Sequence, residues 1–225
     1  MIIHKLPSPS KTERCILFFN GWGMDCNAVN HLQHSDYDVY MFYDYQNFEE
    51  DFKNFSPNFS SYKEISVIAW SLGVWVAQKI LAPFRHTFTK TIAINGTPQP
   101  IHNEYGIAEA VFANTLAKWN EVSRKKFNAR MCGGNSQLTE CQQYMSARNC
   151  ENQLEELHYL YNNITSHPCN STNFYSVALI GENDLIFTAK NQENYWQNVA
   201  KFQTLPLPHF PFAAFNSWNE ILDIL

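Results

Sequence analysis

Three side chains that together could cleave an ester stand far apart in this 225-residue chain. They are the serine of AWSLG (69–73), the aspartate closing GEND (181–184) and the histidine of PHFPF (208–212). A serine hydroxyl attacks a carbonyl only when a base removes its proton, and that base works best when an acid fixes its tautomer. Ser71, Asp184 and His209 follow one of the chain orders in which this constellation occurs.

Each residue also has a plainer reading. In a tight strand-to-helix turn around a nucleophile, the residues two before and two after the serine must be small. Here they are Ala69 and Gly73, with alanine adding one methyl where glycine is usual. Ser71 could instead only cap the next helix. Asp184 could be an ordinary turn or helix-cap aspartate, and His209 an ordinary loop histidine. The other seven histidines are His4, His31, His34, His86, His102, His158 and His167; none follows a strand that comes after Asp184, so chain order selects His209. An anion site for the tetrahedral intermediate would be built from the backbone N–H after the nucleophile and one from an earlier strand-end loop. Leu72 and Trp22 of NGWG hold those places, although Gly21 and Gly23 also read as a simple turn.

Such groups meet only if strand ends bring them together. Apolar runs bounded by turn residues predict strands starting near Cys15, Val39, Ile65, Thr91, Tyr175 and Lys201. Helices are expected over Asp25 to Gln33, Leu72 to Leu81, Ala189 to Ala200 and Phe212 to Leu225. Alternating strands and helices imply an α/β fold, a mostly parallel sheet with helices on both faces. Residues 1–96 and 173–225 form its core in this reading, and 97–172, more polar and helical, an inserted cap. Ile2 to Leu6 could add an edge strand.

Composition narrows the setting. With 45% hydrophobic residues and 15% aromatic ones, the chain has the makings of a folded core. A net charge of −5 gives no general reason to bind nucleic acid or an anionic membrane. No run of about 18 apolar residues predicts a membrane span, and no secretory leader is visible, so a cytoplasmic location is expected. The six cysteines are read as reduced thiols. Without CxxC or HExxH no metal site is expected, and no cofactor.

With NGWG, AWSLG, GEND and PHFPF in place, the chain resembles the α/β hydrolases, and more narrowly the pimeloyl-acyl-carrier-protein methyl ester esterases of biotin synthesis in their short, BioG-type form. The likeness covers the core segments; the cap carries no matching motif. It implies a Ser71, Asp184 and His209 triad, oxyanion contacts from Trp22 and Leu72, and Trp70 lining an acyl channel. Phe112, Trp119, Phe127 and Met131 could roof an aliphatic substrate, with Phe127 among the contacts, or simply form cap core.

The implied partner is an acyl-carrier protein, acidic as a family, and the protein is expected to act as a monomer. Between residues 118 and 130, Lys118, Arg124, Lys125, Lys126 and Arg130 face a single acid, Glu121. That patch could dock the carrier or be an ordinary solvated helix face. A carboxylesterase or thioesterase for another medium-chain acyl group, and a non-catalytic binding protein on the same fold, are the competing readings.

Overall fold

The computed structural model describes residues 1–55, 59–167 and 174–224. Its seven strands are β1 (Ile2–Leu6), β2 (Arg14–Phe19), β3 (Asp38–Tyr43), β4 (Glu64–Trp70), β5 (Lys90–Ile94), β6 (Val177–Asn183) and β7 (Lys201–Pro208). They form one sheet in the order β1-β3-β2-β4-β5-β6-β7. Only β1 runs antiparallel, pairing with β3 from Ile2 opposite Tyr43 to Leu6 opposite Val39. The strand that begins the chain is thus an edge, and β4 lies at the centre.

Residues alternate between the two faces along each strand, and both faces are buried. Leu17, Phe19, Val67, Ala69, Ala93 and Ala178 enter one apolar cluster. Their neighbours Ile16, Phe18, Ile68, Trp70, Ile92 and Leu179 enter the other. The first face is covered by α1 (Phe48–Phe55), α2 (Gly73–Leu81), α6 (Cys150–Ser166) and α7 (Ala189–Trp196), and the second partly by α8 (Trp218–Leu222). Between β5 and β6 lie α3 (Glu109–Ala117), α4 (Glu121–Met131), α5 (Asn135–Cys141) and then α6. Leu157, Leu160 and Ile164 of α6 pack into the first cluster beside the sheet.

Two expected helices differ from what forms. Over Asp25 to Gln33 only a single 3-10 turn exists, Cys26–Ala28. Asp25 caps it through Asn27 N–H, and Val29 at φ −134° ends it at once. Two asparagines within nine residues, Asn27 and Asn30, favour turns over helix. The C-terminal stretch is likewise split into a 3-10 turn, Phe212–Ala214, and α8, which Ser217 caps by accepting from Glu220 N–H at 3.2 Å. Helix α1, with Glu49, Glu50 and Asp51 in its first turn, was not expected from the sequence.

Among the described residues no helix is long and apolar enough to cross a membrane. The described cysteines, Cys15, Cys26, Cys132, Cys141 and Cys150, are all free thiols. Burial pushes the Cys15 thiol up to about 12, so it stays protonated and unreactive at neutral pH.

Among the described residues four other than glycine occupy the left-handed region: Asp44, Asn47, Ser71 and Asn95. Three of them directly follow parallel strands at the carboxyl rim, Asp44 after β3, Ser71 after β4 and Asn95 after β5.

Candidate active site

Ser71 is the corner between the central strand β4 and α2, held at φ +58°. Its N–H donates to the Ile94 carbonyl at 3.0 Å, anchoring the corner to β5. The sharp turn drives α2 against the end of β2. A β-carbon on Gly73 would lie 2.4 Å from the Asn20 carbonyl oxygen and 2.5 Å from that of Phe19. Glycine is therefore required at 73. At 69, by contrast, the alanine methyl is accommodated: Ala69 is fully buried between Phe19 and Ala93 in the sheet register. The extra methyl noted in the sequence thus meets no steric bar.

The two partners arrive from neighbouring strand ends. His209 follows β7 and Asp184 follows β6. His209 Nε2 is 3.0 Å from Ser71 Oγ, and His209 Nδ1 is 2.8 Å from Asp184 Oδ2. The other carboxylate oxygen accepts Ile186 and Phe187 N–H at 2.8 and 2.9 Å, and Gln192 Nε2 donates to Oδ2 at 3.2 Å. An ionised carboxylate can only accept, so Nδ1 carries the ring proton and Nε2 is left to accept from the serine hydroxyl. All three side chains are buried, His209 to 1% exposure.

The histidine is steadied by Asn95, which the sequence did not single out, and by Trp70, expected there to line an acyl channel. Asn95 donates to the Pro208 and His209 carbonyls at 2.9 and 3.0 Å and accepts from Gly181 N–H at 2.7 Å, bracing β5, β6 and β7 together. The asparagine-glycine pair closing TIAING was the available signal, since asparagine tolerates the left-handed corner. Trp70 is fully buried and its indole donates to the same His209 carbonyl at 2.8 Å. Asn95→Ala should orphan Gly181 N–H and reduce stability by about 1–3 kcal/mol. Chemical denaturation of the purified variant reads this directly, and an unchanged midpoint would remove the brace.

Trp22, Leu72 and Trp70 all line a pocket containing Ser71 and His209. Among the described residues no acceptor meets the backbone N–H of Leu72 or of Trp22. Both are thus unused donors beside the serine. The remaining wall is largely apolar, with Phe112, Phe127, Met131 and Leu157 prominent and Arg130 the one charged side chain among the lining residues. Trp119 stands behind this wall, its ring 4.5 Å from that of Trp22 and 5.6 Å from that of Phe127.

The basic residues separate into two groups. Arg124 is committed internally, paired with Glu121 at 2.6 Å and donating to the Arg148 carbonyl at 2.9 Å. Arg130 is exposed at the pocket and donates to the Leu185 carbonyl at 2.7 Å. Lys118, Lys125 and Lys126 are exposed, form no ion pair with the described residues and do not line the pocket.

A family model described as "Pimeloyl-ACP methyl esterase BioG" matches residues 8–221. The chain belongs to the BioG family. The crystal structure of BioG from Haemophilus influenzae is similar at a TM-score of 0.88 and 32% identity, covering 99% of this chain and 100% of that one. A malonyl-[acyl-carrier protein] O-methyltransferase of Bacteroides fragilis is 39% identical over 189 residues, 84% of this chain and 38% of that protein. The BioG-family chain therefore spans well under half of that relative. A lipase-esterase related protein from Clostridium acetobutylicum, 14% identical at a TM-score of 0.67, shares the fold, which is that of the α/β hydrolases.

Proposed function

We propose that this BioG-family protein is a serine esterase that hydrolyses the methyl ester of a pimeloyl chain carried on acyl-carrier protein, leaving the free carboxylate on the carrier and releasing methanol. The observation that carries the proposal is the continuous bonding from Asp184 through His209 to Ser71, at 2.8 and 3.0 Å, on the floor of an apolar pocket. The family's own description supports the substrate. So does the methyltransferase relative, whose name places it on an acyl-carrier substrate.

In this mechanism His209 Nε2 takes the Ser71 proton as Oγ attacks the ester carbonyl. Asp184 holds the ring and stabilises the imidazolium that forms. The oxyanion is received by the Leu72 and Trp22 N–H groups, each worth about 2.7–4 kcal/mol in the transition state. The imidazolium returns its proton to the departing methoxide, and an acyl-enzyme remains. Water, deprotonated by the same histidine, then releases the acid. Trp22, Phe127 and Trp70 border the aliphatic chain.

The test is incubation of the purified protein with pimeloyl-acyl-carrier protein methyl ester, followed by mass spectrometry of the carrier. Loss of one methyl group from an otherwise intact acyl-carrier is the expected result. Release of the whole acyl chain would make the protein a thioesterase, and an unaltered carrier would reject the substrate.

An acidic carrier would dock on the lysines, with Arg130 at the rim where its acyl arm enters. Lys125→Glu combined with Lys126→Glu is expected to lower kcat/KM on the carrier-linked ester about 10-fold or more, by loss of electrostatic steering. Turnover of a free p-nitrophenyl ester should be unchanged. Equal loss on both substrates would exclude a docking role for this face.

A further inference from the structure

The short turn that supplies the Trp22 N–H is held from outside by α6, and the acid at that contact is Glu156, fully buried. One Glu156 oxygen accepts the Gly23 N–H at 3.0 Å and Arg148 Nη1 at 2.7 Å, and the other accepts the Tyr45 N–H at 3.0 Å. One helical turn earlier, the Gln153 side-chain amide donates to the Gly23 carbonyl at 2.7 Å, while the Gln153 backbone carbonyl accepts the Trp22 indole N–H at 2.7 Å. Arg148 Nη1 also reaches the Met24 carbonyl at 3.1 Å. Three successive residues, Trp22, Gly23 and Met24, are thus each tied to the segment from Arg148 to Glu156.

On the inner side, Asn20 Oδ1 accepts the Gly21 N–H at 2.9 Å, and Met24 N–H closes the turn on the Gly21 carbonyl at 3.3 Å. Gly23 sits at φ +74°, as the third residue of such a turn requires. A β-carbon there would come within 3.3 Å of Gln153 Nε2. Between the pinned N–H groups of Gly21 and Gly23 stands that of Trp22, the one left without an acceptor among the described residues.

Sequestering a carboxylate from water is costly unless it is paired and its bonds are made, and here they are made to the Arg148 guanidinium and to backbone donors of the turn and of the loop after β3. A donor aimed in advance stabilises developing charge without reorganising during the reaction. We infer that Glu156, aided by Gln153, is a positioning residue that fixes the aim of the Trp22 backbone N–H at the transition-state oxyanion. The inference rests on the esterase reading above and on Trp22 as one of its donors.

The test compares p-nitrophenyl butyrate hydrolysis with inhibition by butylboronic acid, whose tetrahedral adduct on Ser71 places an oxygen where the oxyanion would lie. Glu156→Ala is expected to lower kcat by about 10- to 100-fold, short of the loss from deleting a donor outright. KM should stay within about twofold, and the boronic acid should bind more weakly by a factor matching the fall in kcat. Gln153→Leu should move both readings the same way by a smaller factor, and it decides the matter if Glu156→Ala does not fold. A folded variant with parental kcat, or one whose kcat falls while boronate affinity is kept, overturns the positioning role. A parent protein that neither turns over the ester nor binds the boronate overturns the esterase reading itself, and this inference with it.

Discussion

Ser71→Ala is expected to lower kcat for ester hydrolysis by about 10⁶-fold and to abolish covalent labelling by a fluorophosphonate. The magnitude follows from the way the three groups act as one unit. Without Oγ, the imidazole 3.0 Å away has no proton to accept, and without His209 the hydroxyl remains a weak nucleophile. His209→Ala should therefore cost nearly as much, and the double variant should be no slower than the worse single one. Asp184→Asn should lose less, about 10⁴-fold, because the amide can still occupy the site but stabilises the wrong ring tautomer. Steady-state rates on a p-nitrophenyl ester, with folding checked by circular dichroism, separate these outcomes. Losses that multiplied in the Ser71 and His209 double variant would mean that the two residues do not act as a pair.

Gly73→Ala should be the most destabilising conservative change at the site, costing at least about 3 kcal/mol and abolishing activity through the displaced corner. The added methyl meets two backbone carbonyl oxygens at 2.4 and 2.5 Å, at the end of a strand in the middle of the sheet. Neither can swing aside as a side chain could. Either α2 retreats from β2, taking Ser71 with it, or the strand end bends. Urea denaturation of the variant checks the stability loss. A folded Gly73→Ala protein with parental activity would show that the close approach of α2 to β2 is not needed to place the serine.

These two results concern the part of the molecule most legible in the sequence. The near-continuous apolar runs mark most of β2 to β7 because both faces of a parallel sheet are buried and turn residues bound each run. Once strands are assigned, Ser71, Asp184, His209 and Trp22 fall at strand ends by counting. What local pattern does not supply is long-range closure. Glu156 looks like one more polar position on a solvated helix, yet it contacts Gly23, 133 residues away, and Tyr45, 111 residues away. Arg124 reads as a free surface cation, but its guanidinium is claimed by Glu121 and the Arg148 carbonyl. The Asp25 to Gln33 segment shows a helical spacing of apolar residues, but Asp25 is drawn to the segment between β5 and β6 instead. Its Oδ2 accepts Ala147 N–H at 2.8 Å and the Ser146 hydroxyl at 3.1 Å, and the chain makes a single turn before straightening.

The three left-handed corners at the ends of β3, β4 and β5 carry an implication for how durable this molecule can become. Backbone torsions of this kind cost on the order of 1–3 kcal/mol each for a residue other than glycine. Asparagine and aspartate soften that penalty at 95 and 44, but serine at 71 has no such relief. The discomfort is thus concentrated along the rim of the sheet that carries Ser71. Selection for heat resistance alone would favour relaxing that rim, and would reach the corner of the proposed nucleophile before it improved anything the proposed reaction needs.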